Sequence, residues 1–241
     1  MLYHLATLLL APLFLVQGKW VRRVTPQLPE PDGARAGVWG TGPALRLMIL
    51  GDSAAAGVGV DSQADALSGK LVAALGEFYR VTWKLVAESG HDSSEVLARL
   101  RNEPPATYDV VVISVGVNDV TGLTARSRWQ QNLTEMTDLL VERFGARHIL
   151  FSSLPPMHYF PALPQPLRWW LGSRAIQLNQ AVQKTAAEHP RCEFVAVAFP
   201  FEHSYMAEDG FHPGPAAYSL WGEQLAKVIR NSTLTPAIVT P

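Results

Sequence analysis

The sequence predicts a three-layer α/β/α fold, a central and mainly parallel sheet of five strands covered by helices on both faces. Two observations predict it. Short runs rich in Val, Ile and Leu alternate along the chain with longer stretches of helical periodicity, the order expected of strand–helix crossovers. Those short runs are also almost continuously apolar rather than alternating, which is how strands buried on both faces read.

The strands are expected at 45–51 (LRLMILG), 81–89 (VTWKLVAES), 109–116 (DVVVISVG), 148–154 (HILFSSL) and 192–199 (CEFVAVAF). Helices are expected near 64–75, 93–101, 127–144, 171–188 and 214–230. The stretch after Ser127 carries Leu133, Met136, Leu139, Leu140 and Phe144 at helical spacing, with Glu135, Asp138 and Glu142 on the other sides. No internal repeat is visible.

Ahead of the first strand, residues 25–44 (TPQLPEPDGARAGVWGTGPA) are broken by four prolines and four glycines and show no period, so they read as a linker. Residues 2–16 (LYHLATLLLAPLFLV) are almost wholly apolar. A cleaved secretory signal fits them poorly, since no basic stretch precedes the run and no A-x-A site comes after it. Pro12 and the shortness of the run count against a full span, while Lys19, Arg22 and Arg23 would keep the domain behind such an anchor cytoplasmic. A helix that covers the domain is the third reading. The expected organisation is an apolar segment at 1–24, a linker at 25–44, one α/β domain at 45–231 and a tail at 232–241. The expected location is the cytoplasm, with membrane association on the cytoplasmic face through residues 2–23, and the periplasm or outside as the alternative.

Composition narrows the chemistry. The 241 residues carry 20 Lys+Arg against 21 Asp+Glu, a net charge of -1, with no basic block to track a phosphate backbone. Nucleic acid is therefore not an expected partner. Cys192 is the only cysteine, so the chain has no internal disulfide, no CxxC pair and no thiolate zinc site. No HExxH, Cys/His cluster or phosphate-binding glycine loop is present either, and neither metal nor cofactor is expected.

Open parallel sheets bind ligands beyond the carboxyl ends of their strands. There the sequence places Gly51-Asp52-Ser53 after the first strand, Glu88-Ser89-Gly90 after the second and Gly116-Val117-Asn118-Asp119 after the third, with Asp209-Gly210-Phe211-His212-Pro213 beyond the fifth. A serine hydroxyl becomes a useful nucleophile when a histidine takes its proton and a third group holds that histidine in the right tautomer. Ser53 is the candidate nucleophile, His212 the base and Asp209, three residues before it, the orienting acid. Negative charge growing on an attacked carbonyl oxygen needs fixed donors about 3 Å away. The amides of Ser53 and Gly90 and the side chain of Asn118 are the candidates.

These four blocks, GDS, ESG, GVND and DGFHP, occur in order at strand ends and resemble those of the SGNH, or GDSL, hydrolase family. The compact type, small single-domain bacterial esterases and lysophospholipase- or thioesterase-like enzymes, is the most similar. The resemblance implies a flavodoxin-like SGNH hydrolase fold and a serine esterase with Ser53, Asp209 and His212 as triad and Ser53, Gly90 and Asn118 around the oxyanion. The family's Leu after GDS is replaced by Ala54. The G-x-S-x-G elbow of α/β-hydrolases is absent.

Each of these residues also has a structural use. Ser53 could cap a turn, Asn118 and Asp119 are ordinary turn formers, Asp52 is expected to brace its loop, and Cys192 to pack in a strand. His203 is the nearest rival to His212. The stretch 155–171 (PPMHYFPALPQPLRWWL) holds five prolines and a group of aromatics. Tyr159, Trp169 and Trp170 are expected either to wall an acyl site or to fold over the core. Short to medium acyl esters lead as substrates, beside lysophospholipid, thioester, carbohydrate O-acetyl or acyl-transfer chemistry on the same residues. A membrane-tethered lipid-binding protein is the non-enzymatic alternative.

Overall fold

The computed structural model describes residues 2–200 and 202–232, the side chains of residues 2–6 and of residue 203 excepted. All of the expected tail beyond Ser232 lies outside the described residues, and so does the side chain of His203, the rival histidine.

A helix, α1 (Leu2–Val24), comes first, followed by strand β1 (Ala36–Trp39) and strand β2 (Ala44–Gly51). The chain continues through α2 (Ser53–Ala56), α3 (Leu67–Gly76), β3 (Arg80–Ala87), α4 (Ser93–Asn102), β4 (Val110–Ser114), α5 (Val117–Thr121) and α6 (Arg126–Glu142). It ends with β5 (His148–Ser152), α7 (Leu167–Glu188), β6 (Cys192–Val195) and α8 (Pro215–Asn231). Among the described residues the sheet has six strands in the order β1-β3-β2-β4-β5-β6. All neighbours are parallel except β1, which runs antiparallel to β3.

The five expected strands are β2 to β6, each within a few residues of its place in the sequence. Residues of β2 alternate between the two faces: Leu47 and Ile49 pack with Leu71, Leu75 and Leu225 of α3 and α8, while Met48 and Leu50 pack with Leu97, Leu133 and Leu178 of α4, α6 and α7. Both faces being apolar makes the run continuous, as a buried parallel strand requires.

The sixth strand corrects the reading of residues 25–44. Ala36–Trp39 forms β1 there, although all four residues are exposed. An edge strand that buries neither face leaves no hydrophobic period to read. It is held by its ladder to Val81–Lys84 and by Leu85 N–H donating to the Arg35 carbonyl at 2.7 Å.

Helix α1 lies on α7. Phe14 stacks on Trp170 with ring centroids 4.6 Å apart and 13° between planes, and Trp170 Nε1 donates to Thr7 Oγ1 at 2.9 Å. Gln17 bridges the start of α7, donating to the Gln165 carbonyl at 2.7 Å and accepting from Leu167 N–H at 3.1 Å. Among the described residues no helix is long and apolar enough to cross a membrane.

Candidate active site

Three neighbouring strands, β3, β2 and β4, end level with one another, since Gly51 is in register with Ala87 on one side and Ser114 on the other. The packing there is tight: a Cβ on Gly51 would lie 1.9 Å from the Ser114 carbonyl oxygen, so only glycine fits. The chain then turns into α2, capped by Asp52, whose carboxylate accepts the Ala54 N–H at 3.1 Å. Ser53 is the first residue of α2, where a backbone N–H has no helical carbonyl to bond.

Ser53 Oγ lies 2.9 Å from His212 Nε2, and His212 Nδ1 lies 2.6 Å from Asp209 Oδ2. The loop before α8 sets this up locally. Asp209 Oδ1 accepts the N–H groups of Phe211 and His212 at 2.9 and 3.0 Å, while Ala207 N–H closes the loop on the His212 carbonyl. The Asp209 side chain is almost fully buried. Burial works against its charge, but the imidazole N–H and the two backbone donors outweigh it and hold the carboxyl below the ordinary range. With Asp209 ionised, Nδ1 carries the proton, and Nε2 is left to accept the serine hydroxyl.

The other two predicted residues stand on the adjoining strand ends. Gly90 follows β3 with φ +86°, a left-handed conformation that side chains rarely adopt, and nothing lies within 4 Å of where its Cβ would be. Asn118, in α5 beyond β4, donates from Nδ2 to the His91 carbonyl at 2.9 Å, which leaves the second proton of its amide for another acceptor. Next to it, buried Asp119 accepts both the N–H and the hydroxyl of Ser93, at 2.9 and 2.6 Å. Asp52 is fully buried, and desolvation pushes its carboxyl up to about 7, against the pull of the Ala54 N–H and His212 and with the push of Asp119.

A cavity of about 50 Å³ has Ser53 and His212 in its wall and is otherwise largely apolar, with Leu154, Phe160, Phe199, Met206, Phe211 and Trp221 around it. The three aromatics expected either to wall an acyl site or to fold over the core are not in the cavity wall. Trp170 is turned away to stack on Phe14, while Trp169 and Tyr159 are substantially exposed and neither lines the cavity. The Pro-rich stretch does reach the site, through Pro155 and Phe160. Phe199, Met206 and Trp221 were not legible as site residues, because nothing in their local sequence separates a cavity wall from a core position. Burial pushes the Cys192 thiol up to about 11, which leaves it protonated and unreactive at neutral pH. Among the described residues no group of three metal-ligating side chains comes together.

A hydroxyl, an imidazole and a buried carboxylate in this line can transfer a proton during attack on a carbonyl. The family model for the GDSL-like lipase/acylhydrolase family matches residues 49–220. A GDSL-like esterase of Mycobacterium tuberculosis is 30% identical over 203 residues, 78% of this chain and 62% of that protein, so the chain spans less than two thirds of the relative's length. The solved structure of TesA superposes with a TM-score of 0.59 at 25% identity, over 77% of this chain and 98% of the other. A lipase/acylhydrolase from Enterococcus faecalis shares the fold with a TM-score of 0.58 at 20% identity, over 77% of this chain and 95% of its own.

Proposed function

The chain belongs to the GDSL-like lipase/acylhydrolase family, and from that premise we propose that it is a serine esterase acting on carboxylic esters of short to medium acyl chain. The observation that carries the reading is the unbroken line Ser53 Oγ, His212 Nε2, His212 Nδ1, Asp209 Oδ2, at 2.9 and 2.6 Å.

His212 takes the Ser53 proton as Oγ attacks the ester carbonyl, and Asp209 stabilises the imidazolium that forms. The carbonyl oxygen becomes an oxyanion received by the N–H groups of Ser53 and Gly90 and the amide of Asn118. When the intermediate collapses, the C–O bond to the alcohol breaks and the alcohol leaves with the proton from His212. Water then enters by the same route, giving its proton to His212 and its oxygen to the acyl carbon, and Ser53 is regenerated. A water molecule needs roughly 10–15 Å³ of such space, so a cavity of about 50 Å³ supports acyl groups of a few carbons. The test is hydrolysis of chromogenic esters of rising acyl length by the wild type, Ser53→Ala and His212→Ala with chelator present. Activity that survives chelation and disappears in both variants is expected; full activity in Ser53→Ala overturns the assignment.

We infer further that α1 rests on an anionic lipid surface. One side of the helix is spent on α7, and the other exposes Leu8, Leu9, Leu15, Val16 and Trp20, with Lys19, Arg22 and Arg23 near its end. An interfacial helix joins these two features, apolar side chains at the acyl boundary and cations at the headgroups. Co-sedimentation of the whole chain with phosphatidylglycerol vesicles, lost in Leu9→Gln/Val16→Gln, is expected. A dimer that the same substitutions dissolve, with no vesicle binding, assigns the face to a second copy instead.

A further inference from the structure

Gly90 has no side chain and open space where one would be, so packing does not orient its peptide. Hydrogen bonds on its neighbours must do so. Glu88 N–H donates to the Gly51 carbonyl at 3.3 Å, the His91 carbonyl accepts from Asn118, and Ser93 is held by Asp119. The residue directly before Gly90 is held from another part of the chain: Ser89 N–H donates to Glu30 Oε1 at 2.7 Å.

Glu30 is itself fixed. Its second carboxylate oxygen accepts from Arg35 at 2.6 Å. The same guanidinium donates to the carbonyl of Ala87, the last residue of β3. The Arg35 backbone is tied to β3 through Leu85 N–H, one residue before β1 begins. Partial burial opposes charge on Glu30, but the N–H and hydroxyl of Ser89 together with Arg35 hold its carboxyl below the ordinary range, so the acceptor is charged at neutral pH.

Resting on the reading of Gly90 as an oxyanion donor, we propose that Glu30, clamped by Arg35, is a positioning residue that holds the Ser89–Gly90 peptide in its catalytic orientation. Both residues lie outside the segment 49–220 that matches the family. The arm ahead of the domain is on this account part of the active-site architecture. It touches no substrate and acts through Ser89. Displacing a catalytic group by about 1 Å can cost up to about 10²-fold in rate, and a neighbour's hydrogen bond controls displacements of that size or less.

The test compares wild type, Glu30→Ala, Glu30→Gln and Arg35→Met on a chromogenic acetate ester and on a fluorophosphonate that labels the active-site serine. In Glu30→Ala kcat is expected to fall about tenfold or more with KM within about twofold, because the lost interaction matters only once the oxyanion forms. Phosphonylation of Ser53 should slow in step, since its transition state also loads negative oxygen onto the donors. Glu30→Gln keeps an acceptor for Ser89 N–H and should recover most of the loss, and Arg35→Met should fall between. Wild-type kcat and labelling in Glu30→Ala overturn the proposal while leaving the esterase reading intact, and so does a Glu30→Gln variant as impaired as Glu30→Ala. A wild type inert to both ester and phosphonate overturns the esterase reading itself, and this proposal with it.

Discussion

Asp209 holds His212 with both carboxylate oxygens at once: Oδ2 meets the ring Nδ1 at 2.6 Å, and Oδ1 accepts the backbone N–H of the same histidine at 3.0 Å. The two bonds separate orientation of the ring from shape of the loop. In Asp209→Asn the amide oxygen can keep the Oδ1 bonds to Phe211 and His212, but an NH₂ group faces Nδ1 and cannot accept from it. The imidazole is then driven to the tautomer that presents a donor to Ser53. A loss of about 10³- to 10⁴-fold in kcat with folding intact is expected, and steady-state kinetics beside a thermal melt will check it. A variant that stays active would remove Asp209 from the triad.

Gly90→Ala meets no atom, since the space is empty, yet it must hold φ near +86°. That conformation costs an alanine about 1–2 kcal/mol, and relaxing it turns the N–H away from the site. The expected outcome is a stability loss of that order with a drop in kcat of about tenfold or more. Wild-type kcat at reduced stability would mean that the Gly90 amide is no donor.

How much of the fold and the site was legible in the sequence depends on burial and locality. Strands β2 and β4 were legible because both of their faces are largely buried and β3, β5 and β6 because of their apolar β-branched and aromatic residues, and the line Ser53, His212, Asp209 because its members sit in two short blocks, one at the end of β2 and one in the loop before α8. Strand β1 was not, because Ala36–Trp39 buries nothing and its register comes wholly from β3. The grip of Glu30 on Ser89 joins residues 59 apart and leaves no local trace. The Trp169-Trp170 pair stayed open between acyl wall and core cover for a related reason: once α7 begins at Leu167, consecutive residues point about 100° apart, and Trp170 falls on the side covered by α1.

Trp170 therefore belongs to the attachment of α1. Trp170→Ala removes both the stack on Phe14 and the bond to Thr7. Truncating a buried tryptophan costs about 3–5 kcal/mol, and the lower end is expected here because the ring lies between a helix and the domain surface rather than in the central core. The ranking of ester substrates by acyl length should not change. Denaturant unfolding and the ester series decide it together, and a shifted chain-length profile would return Trp170 to the acyl site.

Met206 gives the opposite expectation. It lines the cavity beside Ser53 and His212, so Met206→Ala lengthens the space for the acyl chain. Each additional methylene that enters contributes about 0.8 kcal/mol, roughly fourfold in kcat/KM. The optimum of the chromogenic series should move to longer acyl groups, with acetate unchanged or slower. An unmoved optimum would place the acyl chain outside this cavity.

Asp52 makes stability depend on pH. Its carboxyl is raised from 3.8 to about 7 in the folded chain, chiefly by burial. A carboxyl raised in the folded state binds more protons folded than unfolded between those two values, so stability falls as pH rises from about 4 to about 7 and is level above. In Asp52→Asn the side-chain amide would keep an oxygen for the Ala54 N–H and carry no charge at any pH. The variant should therefore match the wild type near pH 4 and become progressively the more stable protein up to about pH 7, by about 1.4 kcal/mol per pH unit at most. Asp119 also titrates from a raised value, and its repulsion with Asp52, absent from the variant, forms part of the measured difference. Urea denaturation at pH 4 to 8.5 reads the difference directly. A constant gap across that range would mean that Asp52 stays ionised throughout, stabilised by His212 and its helix cap against the burial that raises it.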